Sequence, residues 1–584
     1  MQLMITNSNW DNLHFIIKEK QKDYDDLEQE KICIFVYGYP FYSSGEGWIL
    51  AKEVYKLYKK KELNFINEID GIYSIIILDK IKEICYVILD RYGAYSLFYF
   101  RNKNNLVISD ILSEITKHIK NIRINQQSII EYLNFGFKLG NKTHIKDIFE
   151  FEPATIYQIK KDLTIKEKRY WNYLEKIKDE KISNEELGEI FNTHILNATN
   201  LEKKISLPLT GGIDTRTILS ACLPIKKKLH CYTHGIRSSY DVKLALKICR
   251  YFNIEHSLYD LDKKWIYKIP SLLKKNAEIF NGLVSSLSFL HVKESYKKEE
   301  KNGDLFLTGV LGNEIWRCVL GKKVVNAKDI NEISAIITNH YMKKIGCLKN
   351  IYKGYNEKQI IEKIQDSVKQ ELIQVSEISD PVAQTEFFVY KNYCSNWASN
   401  SLKAAGKHFK VVSAMLQKDF IQNNRLLNLR EKSSGFIEKY IISKNSSYLA
   451  KLPLDVVDVR HGGTIEDNLI SKIKGRLLVW PRHLRTIINK LFKKVFKLDI
   501  FRPLYFTDYP NWLIRYHKEF LQEILNYNKM VLKNIFKRAE FENIINSFLK
   551  GDTTYSLFMI RLLSLEIWLR RIKKYSSEIN ENSN

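Results

Sequence analysis

The sequence predicts two folds in succession: an antiparallel, β-rich α+β region over roughly the first 170 residues, then an α/β region on a doubly wound parallel sheet, followed by a helical stretch. Three observations carry this. The runs GIYSIIILD (71–79) and ICYVILD (84–90) are joined by the polar KIKE, a hairpin signal. From Leu201 onward, strand-like and helix-like runs alternate. Beyond about residue 330 the apolar spacing is helical.

In the first region, residues 1–30 carry little pattern and are expected to hold at most a short helix. KICIFVYGYPFY (31–42) reads as a strand ending in a turn, and ILAKEVYKLYKKKEL (49–63) as an amphipathic helix. The turn DRYGAYS leads to the strand LFYF, SIIEYLNFGF reads as a helix, and IFEFEPATIYQI as one strand before RYW (169–171).

The second region is organised around ISLPLTGGIDTRTILSACL (205–223), a short apolar strand, a glycine turn and a helix start. Adjacent glycines let the backbone turn tightly and approach a ligand. The unpaired amides and dipole of a helix N-terminus favour an anion. Thr210 and Thr215 add hydroxyls, and Asp214 adds a carboxylate suited to Mg²⁺, so Thr210, Gly211, Gly212, Asp214 and Thr215 together suggest a metal-bound polyphosphate. KLHCYTHG, YDVKLALKICRYFN, HSLYDL and LFLTG continue the strand–helix alternation, and VLGNE (310–314) follows the last of these strands. In open parallel sheets ligands bind beyond the carboxyl ends of the strands, and both TGGIDT and TGVLGNE fall at such ends. Asp241 is expected to cap its helix and His256 to be a structural strand-end residue. Arg216 is left between a phosphate and a surface carboxylate.

The chain has 584 residues, 45% hydrophobic and 27% charged, a globular composition that calls for two to four domains. No signal-peptide layout opens it, and no apolar run has the length of a membrane span. Eight scattered cysteines show no metal spacing, so reduced thiols and a cytoplasmic setting are expected. The net charge of +25 comes from lysines spread along the whole chain, which reads as compositional bias; nucleic-acid binding is not expected. The basic, aromatic stretch from 475, GRLLVWPRHLRTIINKLFKKVFK, reads as amphipathic helices packed on the catalytic region, with a polyanion-binding face as the alternative. Residues 573–584 look like a frayed tail.

LTGGIDTR resembles the SGGxDS pyrophosphate loop of the glutamine-dependent asparagine synthetase family, with threonines at both serines. LTGVLGNEIW corresponds to that family's SGEGxDE stretch, and GFIEKYII (435–442) resembles its GKYLLR-type segment, with AMLQKDFI (414–421) a weaker counterpart of PFLD. DGIYSIIILD…ILDRYGAYSLFYF is similar to the body of a class II glutamine amidotransferase domain. The resemblance implies a degenerate amidotransferase-like β-sandwich domain over 1–172. A PP-loop (adenine nucleotide α-hydrolase-like) synthetase domain would follow over 185–470, and a basic helical extension over 471–584. It implies ATP and Mg²⁺ as cofactors, Thr308 and Gly309 on the nucleotide side of the crevice, Asp214 and Asn313 as metal ligands, and Lys439 and Glu314 as catalytic residues.

The departures narrow the activity. Met1 is followed by Gln2, and the first cysteine, Cys33, lies inside a predicted strand, so glutamine hydrolysis by the N-terminal domain is not expected. Asn313 replaces the family's second metal-binding aspartate and Val310 its catalytic acid. The leading expectation is an AMP-forming amide ligase or cyclase, similar to the β-lactam synthetases and lasso-peptide cyclases. It would join a carboxylate, on a small molecule or peptide, to an amine. A pseudoenzyme acting as a binding module and a nucleotide-activating RNA-modifying enzyme are the alternatives. The identities of acid and amine, and the oligomeric state, are left open.

Overall fold

Strict alternation in the strand Ile32–Tyr42 sets the architecture of the first region. Cys33, Phe35, Tyr37, Tyr39 and Phe41 point into one core, and Ile32, Ile34 and Val36 into another. A computed structural model of the chain describes residues 1–6, 15–16, 22–175, 182–342, 351–452, 507–575 and 579–580. Its strands are β1 (Gln2–Thr6), β2 (Tyr24–Gln29), β3 (Ile32–Tyr42), β4 (Ile69–Asp79), β5 (Ile84–Leu89), β6 (Phe98–Arg101), β7 (Asn105–Ser109), β8 (Ile122–Arg123), β9 (Ile148–Glu150), β10 (Thr155–Lys160), β11 (Ile165–Arg169), β12 (Ile205–Pro208), β13 (Leu229–Gly235), β14 (Glu255–Asp260), β15 (Leu305–Thr308), β16 (Lys410–Ser413) and β17 (Ile579–Asn580).

An antiparallel sheet of order β11-β10-β5-β4-β3-β2 and a second of order β1-β7-β6-β9 share one core, where Leu3, Ile5, Leu106 and Ile108 join Phe35, Tyr37 and Leu78. Val54, Tyr55 and Tyr58 of the helix Ala51–Lys61 cover the outer face of the six-stranded sheet. Two expectations are corrected here. The first 30 residues contain β1 and β2, strands that were not expected there, because β1 is short and its pairing with β7, not its own periodicity, defines it. IFEFEPATIYQI is two strands. Pro153, which has no amide hydrogen to donate, and Ala154, at φ +54°, turn the chain out of β9 in one sheet and into β10 in the other.

The second sheet region is parallel throughout, in the order β14-β13-β12-β15-β16. Its core residues Ile205, Leu207, Cys231, Leu307 and Val411 are continuous with the core between the antiparallel sheets. Tyr39 Oη donates to the Gly406 carbonyl at 2.6 Å, and Lys391 bridges Glu152 at 3.0 Å and Glu371 at 3.2 Å across the same junction. A further core joins helices of the second region to the C-terminal helix Ser556–Tyr575, whose Arg561 donates to the carbonyls of Leu133 and Asn134. The basic tract 475–497 lies outside the described residues. Within the tail expected to fray, Ile579–Asn580 pair in parallel with β8. No helix among the described residues is long and apolar enough to cross a membrane.

Asp23 is buried beside this junction, with neither carboxylate oxygen hydrogen-bonded among the described residues. Burial pushes its carboxyl from the ordinary 3.8 up to about 6, against the pull of Lys407. The native state therefore holds the proton more tightly than the unfolded chain. The cost to stability is absent below the ordinary value and complete above about 6. Asp23→Asn should raise stability in urea unfolding by on the order of 2–3 kcal/mol at pH 8, a gain that vanishes toward pH 4. An equal gain or loss at both pH values would contradict this.

Candidate active site

β12 lies between β13 and β15, so the strand order reverses at β12, and the loops after β12 and β15 leave the same edge of the sheet side by side. The two polar loops expected to share a crevice do so. Their contact is backbone-close. A Cβ on Gly309 would sit 3.1 Å from Asp214 Cβ, and one on Gly312 would sit 3.2 Å from Asp214 Cγ and 3.1 Å from Met415 Cγ. The glycines of the second loop are thus what admit the carboxylate of the first.

In the first loop, Gly212 precedes the helix Ile213–Cys222 in extended conformation. Its amide donates to Thr210 Oγ1 at 3.1 Å, and the Thr210 amide to Thr215 Oγ1 at 3.3 Å. The Gly211 amide donates to Asp241 Oδ1 at 3.2 Å. Asp241, expected to cap its helix, lies in its first turn instead. Its carboxylate sits at the anion-seeking amide of the loop while Ser239 begins the helix Tyr240–Phe252. Arg216 is fully buried, with no surface carboxylate among its partners given below. Its guanidinium donates to the carbonyls of Gly211 at 2.8 Å, Leu452 at 3.0 Å and Leu449 at 3.3 Å, pinning the loop from behind. His256 Nε2 lies 2.9 Å from Thr233 Oγ1, which donates to the Leu209 carbonyl, and burial lowers its pKa to about 4. It is a neutral structural residue.

Asp214, expected to face a metal, faces a guanidinium. Arg317 Nη2 is 2.5 Å from Asp214 Oδ1 and 2.8 Å from Glu438 Oε1, and Arg317 Nε bonds both oxygens of Glu438 at 3.0 Å. Burial drives the Asp214 carboxyl well above the ordinary range. Arg317 pulls it down and the neighbouring Glu438 pushes it up. Glu438 is fully buried on the helix Phe436–Asn445, which packs on Ile213–Cys222, and the half-buried Lys439 follows it directly. Thr308 Oγ1 accepts from the Val310 amide at 3.3 Å, and Ser413 Oγ donates to the Val310 carbonyl at 2.9 Å, fixing the second loop. Leu311 turns through φ +79° before the short helix Gly312–Trp316, a strained conformation for a branched side chain.

That helix has two faces. Trp316 donates from Nε1 to the Met415 carbonyl at 3.0 Å and stacks on Phe420 at 3.8 Å, so AMLQKDFI braces the loop. Glu314 lines a small cavity of about 100 Å³ with Cys318, His340, Tyr341, Glu386 and Tyr393. Burial, with Glu314 beside it, drives the Tyr393 hydroxyl well above its ordinary range, so it stays protonated. Glu386 is neutralised by Lys432 at 2.9 Å.

Asp214 is paired with Arg317, and among the described residues no group of three or more His, Cys, Asp or Glu is placed to hold an ion. Sequence reasoning missed Arg317 and Glu438. Arg317 lies one helical turn past Glu314 and Glu438 immediately before Lys439, so both were adjacent to motif positions, but neither matched one.

Residues 45–171 match the family model for a glutamine amidotransferase domain. A glutamine-hydrolyzing asparagine synthetase homologue from Methanocaldococcus jannaschii is 25% identical over 279 residues, 42% of this chain and 53% of that protein. Asparagine synthetase 1 of Bacillus subtilis is 21% identical over 225 residues, 38% of this chain and 35% of its own length. The chain is similar to the asparagine synthetases. The matched segments span about half or less of the length of these relatives. The solved NH3-dependent NAD synthetase of Campylobacter jejuni overlays 28% of this chain and 78% of its own at 15% identity, with a TM-score of 0.19, too low to bear on the fold.

Against that family background the amidotransferase-like region has no exposed thiol among its described residues. Cys33 is buried in β3 with its thiol pushed up to about 11 by burial and by Glu28, and burial raises Cys85 further. Neither is a nucleophile at neutral pH.

The Arg216 clamp is testable by itself. Arg216→Met should leave its three carbonyls without a donor and lower unfolding free energy by about 2–4 kcal/mol. A change below about 0.5 kcal/mol, the range of ordinary surface substitutions, would mean that the loop does not depend on the clamp.

Proposed function

We propose that the chain is an ATP-dependent, AMP-forming amide ligase or cyclase. It would adenylate a substrate carboxylate for attack by an amine, without glutamine hydrolysis by its own N-terminal domain. The observation that carries this reading is the convergence of the β12 and β15 loops on Asp214 at the switch point of a parallel sheet. The likeness to asparagine synthetases supports the ligase class, and the buried, protonated thiols of Cys33 and Cys85 support the absence of glutaminase chemistry.

In this reading a carboxylate oxygen attacks the α-phosphorus of ATP, the bond to the β-phosphate oxygen breaks and pyrophosphate leaves. The amine then attacks the acyl carbon, AMP departs, and one proton is released. Amides of Gly211 and Gly212 and hydroxyls of Thr210 and Thr215 would receive the pyrophosphate, displacing the Asp241 carboxylate from the Gly211 amide. Thr308 and Gly309 would line the nucleotide side. Lys439 would neutralise charge on the phosphate in the transition state. Glu314, on the far face of its helix in the tyrosine-lined cavity, would take the proton of the attacking amine. Asp214 and Asn313 remain the residues through which Mg²⁺ bound to the nucleotide could be sensed. No step is assigned to a metal held by the protein alone.

The pseudoenzyme reading draws on Val310 and Asn313 and on Asp241 filling the Gly211 amide. Calorimetric titration of Mg·ATP separates the two. Wild type should bind with micromolar affinity, and Asp214→Ala should lose that binding. No binding by folded wild type would favour the pseudoenzyme. Lys439→Ala should keep ATP affinity within a few-fold and lose ~10²–10³ in pyrophosphate release, the usual effect of removing one transition-state contact. Near-normal turnover would refute its role.

A further inference from the structure

Asp214 and Glu438 come from two packed helices, and their carboxylate oxygens converge on one nitrogen, Arg317 Nη2, at 2.5 and 2.8 Å. Glu438 is fully buried and Arg317 nearly so. Two carboxyl groups brought together, Glu438 fully buried and Asp214 28% exposed, must share a proton or be bridged by a positive charge, and converging carboxylate oxygens are also what a small divalent cation collects. The surroundings fix this geometry. Gly309 and Gly312 lie against Asp214 on the side of the second loop. Gly435, at φ +64°, starts the Glu438 helix so close that a Cβ there would lie 2.9 Å from Glu438 Oε2.

We propose that Arg317 is a built-in cation. Its guanidinium takes the place that a protein-held divalent ion would otherwise occupy between Asp214 and Glu438, so the crevice accepts nucleotide without a resident metal. The inference takes the crevice to be the nucleotide site, but its structural half stands independently of nucleotide. Arg317 acts through Asp214, as a positioning residue. Removing its charge while keeping a neutral, hydrogen-bonding side chain leaves two facing carboxylates and opens a cation site.

Mn²⁺ alone, titrated into the full chain and followed by electron paramagnetic resonance, tests this without ATP. Wild type should show no site tighter than about a millimolar, the weak end of protein cation sites. Arg317→Gln should gain one site at least tenfold tighter, with a melting temperature raised by Mn²⁺ only in that variant. Adding Asp214→Asn should abolish the new site. Arg317→Lys, which keeps the charge, should stay closed. A tight wild-type Mn²⁺ site lost in Asp214→Asn would overturn the proposal, and so would a folded Arg317→Gln that gains no site. The wild-type titration decides the matter even if Arg317→Gln does not fold. ATP calorimetry in EDTA is the second arm. Wild type should keep its affinity within about tenfold of the Mg²⁺ value, and a larger loss would overturn the proposal. Wild type that binds no ATP under either condition removes the nucleotide reading, while the Mn²⁺ titrations still decide the role of Arg317.

Discussion

Two carboxyl groups held side by side away from bulk water must share a proton or be bridged by a positive charge, and the crevice is built around the guanidinium that this chain places between them. Arg317 leaves the segment after β15, Asp214 the helix after β12, and Glu438 a helix more than two hundred residues further on. One guanidinium ties all three. Because the partners come from separate elements, the guanidinium links the two loops to each other and to the Glu438 helix. The glycines at 309 and 312 suit the same arrangement, since a Cβ at either would crowd Asp214 at 3.1–3.2 Å.

The antiparallel region acts on the crevice from behind. Its sheets share an apolar core with the parallel sheet, and the seam carries buried charged contacts such as Lys138 Nζ on Asn396 Oδ1 at 2.8 Å and the ion pair of Lys391 with Glu152. Breaking one partner of such a pair is costly because the other charge is left without an answer. A domain fixed in this way, with its thiols buried, is suited to being a scaffold. β16, which backs the second loop through Ser413, also packs on β3 and β4, so the scaffold reaches the site through one strand.

Much of this was legible in the sequence, and the parts that were not share a cause. β3, β4, β5 and the β12–β15 alternation are long or strongly patterned, and their side chains carry their own burial signal. TGGIDT and TGVLGNE could be matched because turn chemistry is local. β1 and β2 were missed because their partners, not their periodicity, make them strands. The break at Pro153 and Ala154 was missed because an apolar run does not say which sheet each half joins. Arg317 and Glu438 were missed for the same reason at side-chain level: an arginine one turn past a motif has no partner until the fold supplies one. Asp241 was read as a cap because its sequence neighbours are a helix start, while its actual partner, the Gly211 amide, is thirty positions away.

The claim on which the rest stands is that the loops after β12 and β15 form one nucleotide crevice. Hydrogen exchange of the full chain with and without ATP tests it most directly. Slowed exchange at 210–216 together with 308–314, and unchanged exchange in the outer sheet β11-β10-β5, is the predicted result. Protection of one loop without the other, or of neither under conditions where ATP binds, would contradict it.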